Sequence, residues 1–482
     1  MKKIIRILFI AFLALPFLWS CSESIMDDIN ENVNDPSDME SRLIISDAMT
    51  SSAFLVAGGD FCYFASIYIE HNTGTWGQFY NADIRAAQPS SATTYNNTWN
   101  SLYANLYSLK LVREKCSEGG SEEGNYHTLG IAQILTAWNL ATLTDVMGDV
   151  PWSEAIQPGV IFTPVLDKQE NIYQDIFSLL DDAIENLDKA SVFPSLGSQD
   201  LIYNGDTEKW KKFAYGLKAR YKMRLSYRTP AYNEVIALAD QSFTSADEQA
   251  QFSYNGNTAQ SPFYCMFQDR DYYGASQSLH NKLIERNDPR DEIFFTAYPG
   301  TGEDLVFAPN GTSNQIQGYY SISAISTITA PTYLLSYHEL EFLKAEAFVR
   351  LNNLPEAEQA LKSAMAAAFQ KVNIGLTAAD AEDYFDANVK AKFDVNPLSE
   401  VMNQKYLAFF EEEALEAYND YRRLKAMGDN VINLDNPVNS TRFPLRFSYG
   451  SEDVTTNTNV RTAYGDGMYV YTEKVWWAGG TR

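Results

Sequence analysis

Thr332-Tyr333-Leu334-Leu335-Ser336-Tyr337-His338-Glu339-Leu340-Glu341-Phe342-Leu343-Lys344-Ala345-Glu346-Ala347-Phe348-Val349-Arg350-Leu351, with the Asn352-Asn353-Leu354-Pro355 that follows, decides the fold. Leu335, Leu340, Leu343, Ala347 and Leu351 recur at helical spacing and predict one helix over 332–351. The Asn-Asn-Leu-Pro break stops it. Glu356 to Lys371 then restarts the period with Ala357, Ala360, Leu361, Ala364, Met365, Ala368 and Phe369. Two helices with so short a break form a helical hairpin, and the alanines let the axes approach closely.

The same period appears along much of the chain. Gln169 to Lys189 carries Ile172, Ile176, Leu179, Leu180, Ala183, Ile184 and Leu187 on one face. Similar patterns occupy 41–58, 97–116, 125–145, 207–227 and 399–426. Repeated helical pairs point to a mainly α fold, an α-α superhelical scaffold of tetratricopeptide-like hairpins with long irregular loops and little β. The tail from Asn430 onward carries no helical period.

The chain has 482 residues, 45% of them hydrophobic, enough for a packed core. It holds 62 acidic against 37 basic residues, a formal charge of −25. So acidic a surface repels nucleic acid, which removes that partner class. Lys2, Lys3 and Arg6 head an apolar run to Trp19 that is too short to span a bilayer and ends at Ser20-Cys21. The order is similar to a bacterial lipoprotein signal, with 1–20 removed and Cys21 carrying the lipid. Removing those three cations leaves −25 − 3 = −28. Residues 21–40 are polar and acidic and read as a tether ahead of a single helical domain over 41–482. Cys62, Cys116 and Cys265 have no metal-site spacing and read as free thiols.

Three stretches interrupt the helices: 72–96, 251–275 and 296–328, rich in Tyr, Asn, Gly and Ser. Long loops in a compact protein are usually functional. Aromatic rings amid polar residues suit ligands with an apolar ring face, carbohydrates above all. The candidate ligand contacts are Trp76, Tyr80, Tyr95, Tyr272, Tyr273, Tyr319 and Tyr320.

Catalytic signatures do not appear. The four histidines, His71, His127, His280 and His338, form no HExxH. There is no GxSxG, GxGxxG or P-loop. No catalytic residue, metal ligand or cofactor site is assigned. Asp288-Pro289-Arg290-Asp291 reads as a turn with an internal Asp–Arg pair rather than a calcium loop. Asp206 or Thr207 caps the helix holding Trp210, and Gly148 ends the helix before it in a left-handed conformation.

These structural segments also carry a resemblance. Gly148-Asp149-Val150-Pro151-Trp152-Ser153-Glu154-Ala155 resembles the "GD-V-P-[YW]-S-E-A" segment of SusD/RagB-like outer-membrane lipoproteins. Tyr203-Asn204-Gly205-Asp206 with Lys209-Trp210-Lys211-Lys212-Phe213-Ala214 is similar to their "Y-x-G-D…KW-x-KFA" segment. Asp288-Pro289-Arg290, Glu339 to Ala347, Glu416-Ala417-Tyr418, Tyr421-Arg422-Arg423 and Arg442-Phe443-Pro444 follow in the family's order. The chain looks most like the divergent SusD-like branch. The resemblance implies four tetratricopeptide-like hairpins, lipid anchoring at the outer face of the outer membrane, and a TonB-dependent SusC-like transporter as partner. It implies a non-enzymatic protein that binds a nutrient, a glycan or oligosaccharide, and serves as the transporter's lid. A peptide binder, a surface polysaccharide hydrolase and a purely structural lid stay open as alternatives.

Overall fold

A computed structural model describes residues 39–86, 93–371 and 373–482. The expected signal segment 1–20, Cys21 and the tether as far as residue 38 lie outside the described residues. From Ser41 to Arg482 the chain folds as one unit. The first helices are α1 (Ser41–Ser51), α2 (Asp60–Tyr68), α3 (Gly77–Asp83), α4 (Asn96–Cys116), α5 (Tyr126–Met147) and α6 (Gln169–Asp188). Next come α7 (Thr207–Arg224), α8 (Tyr232–Ala239), α9 (Pro262–Asp269), α10 (Gln277–Glu285) and α11 (Asp291–Phe294). The C-terminal half adds α12 (Tyr337–Arg350), α13 (Leu354–Phe369), α14 (Ala378–Tyr384), α15 (Lys390–Val395), α16 (Pro397–Ala408) and α17 (Ala414–Met427).

Consecutive helices pair as hairpins: α4 on α5, α5 on α6, α7 on α8, and α12 on α13. The mainly α scaffold expected from the periodicity is therefore what the chain adopts. Helix α5 lies at the centre and is buried on every side from Thr128 to Met147, as a helix apolar all round must be. Its few polar groups are satisfied internally. Asn139 donates to Ser52 Oγ at 2.9 Å, and Asn105 of α4 donates to the same oxygen at 2.9 Å.

Strands are short and form four antiparallel pairs among the described residues. β1 (Asn72–Gly74) pairs with β5 (Tyr273–Ala275), and β2 (Val150–Pro151) pairs with β3 (Leu166–Asp167). β4 (Ala250–Phe252) pairs with β8 (Thr332–Leu335), and β6 (Phe295–Thr296) pairs with β7 (Ile322–Ser323).

Three expectations need correcting. The helix expected from Thr332 begins at Tyr337, because 332–335 is spent as β8, and Ser336 caps the helix by accepting from the Glu339 amide. The helix expected over 399–426 breaks between α16 and α17, where Glu411 sits at a φ of 71°. The tail is not without helix: it winds α18 (Asn439–Arg442), α19 (Ser451–Thr456), α20 (Thr458–Tyr464) and α21 (Tyr469–Thr472). Such short turns have too few residues to show a period.

The local motifs have structural work. Asp206 accepts from the amides of Glu208 and Lys209 and caps α7. Gly148 has a φ of 78°, and a Cβ there would lie 2.8 Å from the Arg482 carbonyl. Asp149 accepts from the Gln169 amide at 2.9 Å and starts α6. Asp288 takes Arg290 in a two-toothed buried pair, at 2.9 and 2.6 Å. Arg220 of α7 binds Glu339 of α12, and Arg423 of α17 binds Glu346 of α12 at 2.6 Å. Arg224 binds Asp145 of α5 and Glu416 of α17. The recurring Arg and Glu of the sequence motifs thus bolt α5, α7, α12 and α17 together inside the core. Removing one partner of such a pair strands a buried charge, at a cost of about 3–5 kcal/mol.

Candidate functional site

The ribbon of β1 and β5 assembles the face on which most candidate residues lie. It pairs Asn72 with Ala275 and Gly74 with Tyr273. Thr75 extends it by donating its amide to the Tyr272 carbonyl at 2.8 Å. The chain then turns at Trp76 into α3, which carries Tyr80. Gly74 is required here: a Cβ would fall 1.9 Å from the Phe79 carbonyl oxygen. The stretch after β6 lays itself along the other edge of β5. Ala275 donates to Ser321 O at 2.6 Å, and Ala308 donates to Ala275 O at 2.8 Å.

Side chains stitch the three segments into one surface. Asp83 accepts from the Gly311 amide at 2.7 Å, Asn310 donates to Thr73 Oγ1 at 2.9 Å, and Tyr80 donates its hydroxyl to Ser313 O at 3.3 Å. Tyr298 donates to Asp271. That bond to the carboxylate, and then burial, pushes the Tyr298 hydroxyl up to about 12, so it stays a donor at physiological pH. Nothing in the sequence marked Tyr298 or Asp271. Only the fold brings Tyr298 beside Asp271 and beside Gly318, whose Cβ would sit 3.5 Å from the Tyr298 hydroxyl.

The seven sequence candidates divide. Trp76 is 53% exposed and Tyr319 42% exposed. Tyr80 and Tyr272 are half-buried, each with part of its surface open. Tyr272 rests against Gly77, and Arg270 lies over its ring at 5.7 Å. These four belong to the joined loops. Tyr95, Tyr273 and Tyr320 are a correction, because all three are buried. Tyr95 stacks on Phe447 at 4.3 Å and shares a 2.6 Å hydrogen bond with Tyr68. Tyr273 stacks on Phe79 at 4.7 Å and donates to the Tyr63 carbonyl. Tyr320 turns under its neighbour Tyr319 at 5.3 Å. Their rings are consumed by packing, so they shape the face without presenting one.

The stretches expected as loops are accordingly only partly irregular: 72–96 contains β1 and α3, and 251–275 contains α9, all of β5 and most of β4. Gln78, Asn81, Asn314 and Gln317 are exposed or half-buried on the same segments and supply amide donors and acceptors. Exposed aromatic rings with an amide rim can stack on an apolar ring face and bond its hydroxyls. Among the described residues no group of three or more His, Cys, Asp or Glu is placed to hold a metal ion. Cys62 and Cys116 are buried free thiols, and Cys265 is a free thiol of intermediate exposure.

A helical-hairpin scaffold that displays an aromatic loop face is the class of protein defined so far. The comparisons with known proteins make it specific. A family model of SusD-like proteins, described as starch-binding and associating with the outer membrane, matches residues 71–450. The structure of a SusD/RagB family protein from Bacteroides thetaiotaomicron is 44% identical, with a TM-score of 0.87 over 92% of this chain and all of that one. A chitin-binding protein shares the fold at 23% identity and a TM-score of 0.72, covering 90% of this chain and all of its own. A SusD-like protein, also from Bacteroides thetaiotaomicron, does so at 20% identity and 0.75, covering 92% and 100%. No curated protein matches the chain. The chain belongs to the SusD-like family.

Proposed function

We propose that this chain is a nutrient-binding lipoprotein of the cell surface, anchored through Cys21 in the outer membrane. It holds a glycan on the face formed by Trp76, Tyr80, Tyr272 and Tyr319, and passes it to a TonB-dependent transporter of the SusC type that it covers as a lid. It binds its ligand without transforming it. The observation that carries the reading is the convergence of three separate segments on one surface with four rings accessible. Support comes from the family's description as starch-binding and outer-membrane-associated, and from a structural relative described as chitin-binding. No helix among the described residues is long and apolar enough to cross a membrane, and attachment through the acylated Cys21 needs none.

Calorimetry of the mature chain against a panel of glycans and peptides tests the proposal. At least one glycan is expected to bind. The Trp76→Ala/Tyr319→Ala double variant is expected to bind it roughly tenfold more weakly or worse, about 1.4 kcal/mol. A panel with no glycan ligand, or a variant that binds like its parent, overturns the reading.

A further inference from the structure

A concavity lies along the C-terminal half of α17. It has a volume of about 250 Å³ and is lined by Tyr421, Arg422, Lys425, Asn439, Phe443 and Lys474, with Leu445 and Ala478 behind them. Tyr421 and Phe443 pack on each other, 4.8 Å between ring centres and inclined at 48°, and form one aromatic side of it. Three of the eight lining residues are cations and none is an acid. In a chain of charge −25, that local balance is the reverse of the whole.

Nor are those cations neutralised from behind. Among the described residues Lys425 bonds the Asn430 amide oxygen, at 2.7 Å, and no carboxylate, and lies over the Tyr421 ring. Lys474 is exposed and enters no ion pair among the described residues. Arg422 is 4% exposed. Its two Nη atoms donate to the carbonyls of Asp145 and Leu445 and to the Asn419 side chain, never to a carboxylate. Its buried Nε has no partner. The acids nearby are already engaged. Asp145 is held by Arg224 and Tyr173, Glu473 by Arg482, and Asp429 by Arg350. Glu70, which faces Tyr421 from the other side, accepts from the amides of Asp435 and Asn436 and from Asn439. Burial pushes the Arg422 guanidinium down, and the cations Arg224 and Arg446 add to that against the opposing pull of Tyr418 and Asp145.

We propose that this groove is a binding site for a small organic anion, a carboxylate or sulfate carried on one compact ring, with Lys425 and Lys474 on the anionic group and the half-buried Phe443 against the ring, backed by the buried Tyr421. The volume is just under the usual range for small-molecule pockets and admits one ring, not a polymer. Cations gathered beside an apolar wall concentrate an anion that the rest of the surface repels. Rings flanking them supply the apolar contact that inorganic anions cannot use. The site stands independently of the glycan face and of the transporter role.

Titration of the mature chain with glucuronate and with benzoate, at low and at high sodium chloride, is the test. Glucose and inorganic sulfate serve as controls. The two acids separate a sugar source from an aromatic one for the same chemistry. At least one acid is expected to bind at low salt, tenfold or more tightly than glucose or sulfate, and to weaken as salt rises. Lys425→Gln/Lys474→Gln should lose that binding by tenfold or more. Because both side chains are exposed, the melting temperature should stay at the parent value. Phe443→Ala should weaken the acid while leaving any sulfate binding alone. Absence of acid binding overturns the site, as does equal affinity for glucose or sulfate, or binding that survives the double lysine variant.

Discussion

Glu411 shows how much a single side chain can store in this fold. It lies fully buried in the left-handed turn between α16 and α17, at a φ of 71°. Burial, and then the neighbouring Glu412 carboxylate, pushes its carboxyl up to about 8, against the pull of the Asn72 and Ser323 side chains. The folded value lies above the unfolded one, so the folded chain holds the proton more tightly. This residue's stabilising contribution is complete at pH below about 4.5 and is lost as pH rises through 8. Between pH 6.5 and 8 the buried His71 and His338, both pushed down by burial, act the opposite way, because only their unfolded imidazoles still give up protons there; their share is a few tenths of a kcal/mol each, together about a third of the Glu411 and Asp83 effect. Asp83, raised by burial to about 7, acts in the same direction as Glu411 over that window. Urea unfolding of the parent should therefore weaken from pH 6.5 to 8. Glu411→Gln should remove roughly 1–2 kcal/mol of that decline, since one proton's difference is worth about 1.4 kcal/mol per pH unit. Parallel curves for parent and variant would refute the assignment. The same scale explains which site residues the sequence could reveal. Trp76 and Tyr95 both sit in a polar, aromatic stretch and read alike. What separates them is Phe447, a partner far along the chain that covers the Tyr95 ring. Burial by a distant partner leaves no local trace.

At the scale of elements, the long helices were legible and the short ones were not. In α6, Ile172, Ile176, Leu180, Ala183 and Leu187 point inward as their spacing requires, while Leu179 and Ile184 only flank the core. The three-residue strands β1 and β5 could not be anticipated, since each exists only because the other, two hundred residues away, pairs with it. Where two helices cross, one residue sets the distance. Gly130 of α5 faces α6, and a Cβ there would lie 2.8 Å from Leu187 Cγ and 3.0 Å from the Ala183 carbonyl oxygen. In an exposed helix, Gly→Ala gains about 1 kcal/mol. Here the contact includes backbone of the partner helix, so α6 must move or Leu187 must leave its well. Gly130→Ala should therefore destabilise by roughly 1–3 kcal/mol, the usual range for overpacking a close contact. Chemical denaturation reads the sign directly, and a stabilised variant would show that the α5–α6 crossing has room for a methyl group.

For the whole molecule, the distribution of charge matters more than its sum. The arginines of the core motifs are buried against Asp145, Glu339, Glu346 and Glu416, and three cations with no acid among the lining residues share one groove. The rest of the 62 acids must therefore dominate the outer surface of a chain at −25. Like charges on that surface repel, and added salt shortens their reach from about 30 Å at 0.01 M to about 8 Å at 0.15 M. The buried Arg–Glu pairs are shielded from solvent and respond little. Sodium chloride should thus stabilise the fold, raising the melting temperature by about 1–2 °C per kcal/mol of repulsion removed in a chain of this length. The alternative would be a scaffold held by exposed ion pairs, such as Lys211 with Asp188 and Lys218 with Asp181, and salt would then lower the melting temperature. Each such exposed pair is worth about 0–1 kcal/mol, too little to oppose the surplus of acids. A thermal series from 10 to 200 mM salt separates the two outcomes: a rise places the stabilising charges inside the core, and a fall places them on the surface.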